Sequence, residues 1–160
     1  MILAMKTSLI YFILTITSLL SFAQGSLTQP QEKKCKNIIE KVFNKTGLQY
    51  NTTQDKDIQR IVSNNKTIGY YSLMNAKGKI GWFKIIIIYS SDLTIKKVYI
   101  AEYNETRGGE ITNPKYLSKY EGLNAKTQKP KVDAISGATI SSNSLKKAIE
   151  LSNKKLIFAT

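Results

Sequence analysis

The sequence predicts an α+β domain, a central antiparallel β-sheet covered by helices, and three observations carry that expectation. Between residues 68 and 103 the chain passes through three β-rich stretches separated by short turn-forming segments, the pattern of an antiparallel meander. The middle stretch holds four consecutive isoleucines, Ile85 to Ile88, and a strand that is apolar at successive positions needs cover on both faces. Segments with apolar residues at helical spacing lie before and after this block, and they can supply the cover. At 160 residues the chain supports one domain with a real core.

Taken in order, the chain opens with what resembles a secretory signal. Lys6 is a short basic n-region, Leu9 to Leu20 is almost wholly apolar, and Ser21-Phe22-Ala23 offers small residues for cleavage after Ala23. The competing reading is an uncleaved anchor, although the apolar run is short for a bilayer core of about 20 residues. Residues 1–23 are therefore expected to be a signal peptide and 24–31 a polar linker. Residues 32–160 form the domain, which works outside the cytoplasm, in the periplasm or beyond, with peripheral contact to a membrane.

The first helix follows from Cys35, Ile38, Ile39, Val42 and Phe43, which recur on one helical stripe and close near Gly47. Cys35 on that stripe reads as a small buried hydrophobe. Tyr50 to Asn65 is ambiguous, because Ile58, Ile61 and Val62 suit either a short helix or an edge strand. Strands are expected at Ile68–Met74, Ile80–Tyr89 and Thr94–Tyr103, with turns at Asn75–Lys79 and Ser90–Asp92. A loop at 104–112 carries Glu105-Thr106-Arg107-Gly108, and Asn113-Pro114 supplies an N-cap and an N1 proline for a short helix. Leu145, Ala148, Ile149 and Leu151 predict a last helix that ends near Asn153.

Composition removes much chemistry. There is no His and only one Cys, so Ser-His-Asp triads, Cys-His nucleophiles, His-ligated zinc, iron–sulfur clusters and c-type haem are excluded. Any redox chemistry then needs an organic cofactor. The formal charge is +13, yet the lysines are scattered in ones and twos, which suits solvated faces better than a nucleic-acid arm.

The remaining signal is Asp133-Ala134-Ile135-Ser136-Gly137-Ala138-Thr139, followed by a Ser/Thr-rich helix start. Small residues let a ligand approach the backbone, and a helix N-terminus favours a phosphate. Thr139 offers a hydroxyl at that junction, and the bland alternative is a turn and a cap.

These residues resemble the flavinylation motif of the FMN-binding domain family, which includes the FMN-bearing subunits of sodium-pumping NADH:quinone reductase and of the Rnf electron-transport complex. Ile68-Gly69-Tyr70 and Gly81-Trp82 resemble the family's glycine–aromatic strands, and Glu105-Thr106-x-Gly108 resembles its Glu-Thr-Pro-Gly loop, with Arg107 in place of the proline. The resemblance runs roughly from Gly69 to Ile149. It implies FMN esterified through its phosphate to Thr139 by a separate magnesium-dependent FAD:protein FMN transferase.

By the same resemblance, Ser136, Gly137 and Ala138 cradle the phosphate, and Asp133 serves the transferase step or caps the turn. Glu105, Thr106 and Gly108 meet the isoalloxazine. Trp82 and Tyr70 are read as core aromatics more than flavin stackers. With no nicotinamide-binding Gly-rich fingerprint in the chain, the implied role is an electron carrier between redox partners, or within a membrane electron-transport complex, more than a self-sufficient enzyme. Two other readings stay open: a cofactor-free secreted basic protein that binds anionic polymers or membrane surfaces, and the flavodomain of an extracytoplasmic reductase.

Overall fold

The computed structural model describes residues 27–160, so the expected signal peptide and the start of the linker lie outside the described residues. The elements are α1 (Gln29–Phe43), β1 (Gln49–Thr52), β2 (Ile58–Ser63), β3 (Lys66–Lys77), β4 (Trp82–Ser90), β5 (Ile95–Tyr103), α2 (Pro114–Leu117) and α3 (Thr139–Ala159). All five strands form one antiparallel sheet in sequence order. The α+β expectation holds, with two strands more than the three expected.

The added strands are β1 and β2, in the segment the sequence leaves ambiguous. The pairing of β2 with β3 shifts between Ile61 and Val62, where Ile68 of β3 is the extra residue. Ile58, Ile61 and Val62 are all buried, and their spacing imitates a helix because the strand is covered on both faces, Ile58 packing on the α3 side and Ile61 on the α1 side. At the front, α1 starts at Gln29 with Pro30 in its first turn, so residues 29–31 are helix and not linker. Asn44, in the left-handed conformation at φ 49°, ends α1 ahead of the expected Gly47.

Strand β4 divides the core. Ile85, Ile87 and Tyr89 face α3, while Ile86 and Ile88 face α1 with Cys35, Ile39, Leu48 and Ile61. Burying each large side chain contributes roughly 1.5–3 kcal/mol, so the four isoleucines that predict a two-sided strand also hold both helices. Asn113 caps α2 as expected, its side chain accepting from the Lys115 N–H at 2.9 Å.

The last helix runs to Ala159, beyond the expected end near Asn153. Its buried stripe continues through Ser152, Asn153 and Leu156, whereas Leu151, expected on the stripe, is 49% exposed. Ser152 and Asn153 look like a polar stop in sequence but are satisfied inside the protein. Ser152 Oγ lies 2.6 Å from Ser72 Oγ and 2.7 Å from the Tyr89 hydroxyl, which donates to Asn153 Oδ1 at 2.9 Å. Beside them Lys155 bridges Asp55 and Asp57 at the start of β2. No helix among the described residues is long and apolar enough to cross a membrane.

Candidate functional site

The chain from 135 to 142 folds into a turn that hands over to α3. Ala138 N–H donates to the Ile135 carbonyl at 3.0 Å, and Gly137 takes φ +82°. Ser142 N–H donates to the Ala138 carbonyl at 2.9 Å, while Ser142 Oγ accepts from Ile135 N–H at 3.1 Å. The Ala138 methyl is buried at 3% exposure and acts as a plug. Its neighbour Thr139, the first residue of α3, is thereby turned outward and is exposed. A Cβ added at Gly137 would meet nothing within 4 Å, so there is free space above this turn, at the end of the helix where unpaired N–H groups favour an anion.

Two more segments converge here. Gly108 has φ +80°, and a Cβ there would lie 2.9 Å from the Tyr103 hydroxyl and 3.2 Å from Ser141 Oγ. Glycine is thus required twice, for conformation and for close packing of the 104–112 loop against α3. The Tyr103 hydroxyl donates to the Arg107 carbonyl at 2.9 Å and lies 3.1 Å from Ser141 Oγ. Burial pushes this phenol above its ordinary pKa, so it stays protonated as a donor.

Glu105 Oε1 accepts from Ile80 N–H at 2.9 Å and from Gly81 N–H at 2.7 Å. Its carboxylate therefore ties the loop to the β3–β4 turn, which closes through Gly78 N–H to the Gly81 carbonyl at 2.9 Å. A side chain at Gly78 would collide with that carboxylate.

Between these segments runs a groove of about 600 Å³. Lys79 and Ile80 line it from the β3–β4 turn, Glu105 to Gly108 from the loop, and Gly137 to Ser141 from the turn and α3. Six residues singled out in the sequence are thus brought together: Glu105, Thr106, Gly108, Gly137, Ala138 and Thr139. Asp133 and Ser136 are exposed and do not line the groove; the Asp133 carbonyl accepts from the Tyr116 hydroxyl at 3.2 Å, away from the groove.

The expectation that Trp82 is a core aromatic is corrected. It starts β4, is 58% exposed and lies outside the groove, with Lys77 Nζ 6.0 Å from its ring centre. Tyr70 does pack against the core. Ile80, expected inside a strand, is 71% exposed at the turn. The turn is displaced because β3 continues through Lys77, leaving Gly78 to Gly81 to reverse the chain. Lys79, Ile80, Ile140, Ser141 and Tyr103 are site residues that sequence reasoning passes over. The Gly78-x-x-Gly81 spacing was the available signal, since it puts Lys79 and Ile80 at a hairpin tip.

Comparison with known proteins agrees with this geometry. Residues 78–152 match the family described as FMN-binding domain, a span from the Gly78 turn to the buried Ser152. No curated protein matches the chain. Among solved structures, that of NqrC from Shewanella oneidensis is similar, with a TM-score of 0.51 at 20% identity over 65% of this chain and 63% of that one. This chain therefore spans less than two thirds of NqrC, and at such identity the likeness is one of fold. Residues 78–152, which hold the groove and the turn before α3, are thus the part of the chain that matches the FMN-binding domain family.

Proposed function

We propose that this protein is an exported electron-transfer flavoprotein that carries FMN on Thr139 through a phosphoester and relays electrons between redox partners. The observation that carries the reading is the outward-facing Thr139 at the first position of α3, beside the free space over Gly137. The residues present fit the cofactor. An anionic phosphate suits the N-terminus of a helix of 21 residues. The exposed Ile80 and Ile140 in the same groove suit an apolar ring system, and Lys79 and Arg107 suit its polar edge.

When bound, FMN supplies reversible electron transfer, and the protein supplies its binding, orientation and electrostatics. Ala138 fixes where Thr139 points, and the Tyr103–Arg107–Ser141 hydrogen bonds keep the loop against the helix. Glu105 fixes the hairpin turn so that Lys79 and Ile80 stay at the groove. Covalent attachment by an FAD:protein FMN transferase is sensible for an exported protein, because a lost cofactor is not replaced there. Asp133 lies exposed beside the turn, free for contact with that enzyme. The electron donor and acceptor are redox proteins or a membrane electron-transport complex.

The test is co-expression with the transferase, followed by denaturing electrophoresis under ultraviolet light. A fluorescent band in the wild type that disappears in Thr139→Ala is the expected result. A dark wild-type band whose intact mass shows no added FMN would overturn the reading and leave the cofactor-free binder. Sustained turnover of a small acceptor by the flavinylated protein alone would favour the reductase over the carrier.

A further inference from the structure

The outer side of α3 carries residues that a freely solvated helix does not need. Ile140, Lys147, Leu151, Lys154 and Phe158 follow one another at three- to seven-residue steps that keep them on one face. Ile140 is 52% exposed, Leu151 49% and Phe158 78%, and Ile157 beside them is 40% exposed. From first to last this seam is about 27 Å long at 1.5 Å per residue. None of the large exposed hydrophobics among the described residues belongs to α1, so the feature is particular to one side of the sheet.

Charge accompanies the apolar seam. Lys147 and Lys154 are exposed within it. Lys126 and Lys129, from the segment before the motif, join Lys154 and Ile157, with Glu150 among them, around a hollow of about 340 Å³. Glu150 is the single acidic residue in α3, and residues 122–132 contain none. Lys126, Lys129, Lys147 and Lys154 form no ion pair among the described residues. Lys155 alone at this end is neutralised, by Asp55 and Asp57.

We propose that the outer face of α3, with the 125–130 segment, docks onto an anionic lipid surface. Phe158 and Leu151 enter the interface, and the four lysines lie along it with their stems against the apolar region and their ammonium groups on the headgroups. The competing occupant is an acidic amphipathic helix from a protein. Cations contributed by a second segment widen the positive area beyond what one helix of about 10–12 Å diameter covers, which favours a planar surface. Ile140 belongs to both the seam and the groove, so docking sets the groove mouth beside the membrane. The proposal does not depend on flavin attachment and can be tested on Thr139→Ala as well as on the loaded protein.

The experiment is flotation of the purified exported protein with phosphatidylcholine vesicles, with and without phosphatidylglycerol, over a range of salt. The protein is expected to float with the anionic vesicles at low salt, to leave them as salt rises, and to ignore the neutral ones. Each of Lys129→Gln and Lys154→Gln should weaken binding about fivefold, the factor equal to about 1 kcal/mol per lysine. Phe158→Ser should weaken it about tenfold, and Leu151→Ser serves as a second apolar variant. Lys45→Gln, just past α1 on the other side of the sheet, should change it less than twofold. All five positions except Leu151 and Lys154 lie outside the helix interior or at its exposed end, and circular dichroism checks that each variant folds. Absence of flotation with anionic vesicles overturns the proposal. So does an equal loss from Lys45→Gln and Lys154→Gln, which would reduce it to bulk charge, or binding to an acidic amphipathic peptide but not to vesicles.

Discussion

Ile86 and Ile88 send their side chains from β4 towards α1, while Ile85, Ile87 and Tyr89 send theirs towards α3. On the α1 side the helix is held mainly by apolar contact through Cys35 and Ile39, closed by Leu48. On the α3 side apolar contact is joined by directed bonds, namely the Ser72–Ser152–Tyr89–Asn153 network and the Lys155 bridge to Asp55 and Asp57. Apolar packing tolerates small shifts, whereas a buried hydrogen-bond network specifies one arrangement. Thr139 begins the helix that is held by the buried network, whereas α1 has the Gln31 amide donating to Glu102 at 3.3 Å. Thr139 inherits its position from a helix pinned near its far end as well as by the Ala138 plug.

The largest expected effects test that difference. Leu145→Ala on α3 and Ile39→Ala on α1 both remove side chains that are fully buried, and each should cost about 3 kcal/mol in urea unfolding. They should part in flavin loading per folded molecule, which falls in Leu145→Ala and holds in Ile39→Ala. Equal losses of loading would mean that the two helices position the site equally. A smaller effect is expected from Gly108→Ala, which meets both the left-handed backbone and the Tyr103 hydroxyl at 2.9 Å. It should cost about 2 kcal/mol and disturb loading. Gly47→Ala has φ +66° but nothing within 4 Å, so about 1 kcal/mol of backbone strain should be its only effect.

The hydroxyls sharpen the contrast further. Ser152→Ala removes a buried partner from both Ser72 Oγ and the Tyr89 hydroxyl and should cost about 1–3 kcal/mol. The Tyr50 hydroxyl, packed at the α1 face, is buried without a hydrogen-bond partner, as is that of Tyr120 in the α3-side core. Tyr50→Phe should accordingly be neutral or slightly stabilising. A loss of more than about 1 kcal/mol in Tyr50→Phe, by thermal or urea unfolding, would show that the α1 face also depends on a polar contact.

What the sequence reveals about each face follows from the same physics. The α1 stripe and the two-sided β4 are legible because burial there is decided by side-chain polarity alone. The tail of α3 is not, because Ser152 and Asn153 are polar residues whose burial depends on Ser72 and Tyr89, far away in the chain. Strand β2 is hidden because Ile58 and Ile61 are buried on opposite faces, a spacing that mimics a helix. In the site, the Ser136–Thr139 motif is a local signal and is found directly. Ile80 and Tyr103 join it only through tertiary contacts, and Trp82 is misjudged because it stands at the turn end of β4, where it is exposed. Glu105 is found by resemblance, but its bonds to the Ile80 and Gly81 N–H groups need the folded chain.

The smallest expected effect is a difference in alkaline stability that belongs to the α1 face. Burial pushes the Cys35 thiol up to about 12, with Glu32 adding to the shift and Lys36 opposing it. An unfolded thiol ionises near about 8.5. The folded chain therefore keeps this proton where the unfolded chain releases it, so the contribution is complete below about pH 8.5 and is lost as the pH rises towards 12. Cys35→Ala removes both the packing and the proton. Its stability deficit against the wild type should be largest at pH 7 and should shrink at pH 10, measured as the gap between urea midpoints. A gap that stays constant with pH would mean the Cys35 thiol ionises alike in both states, and the α1 face would then be wetter than its packing implies.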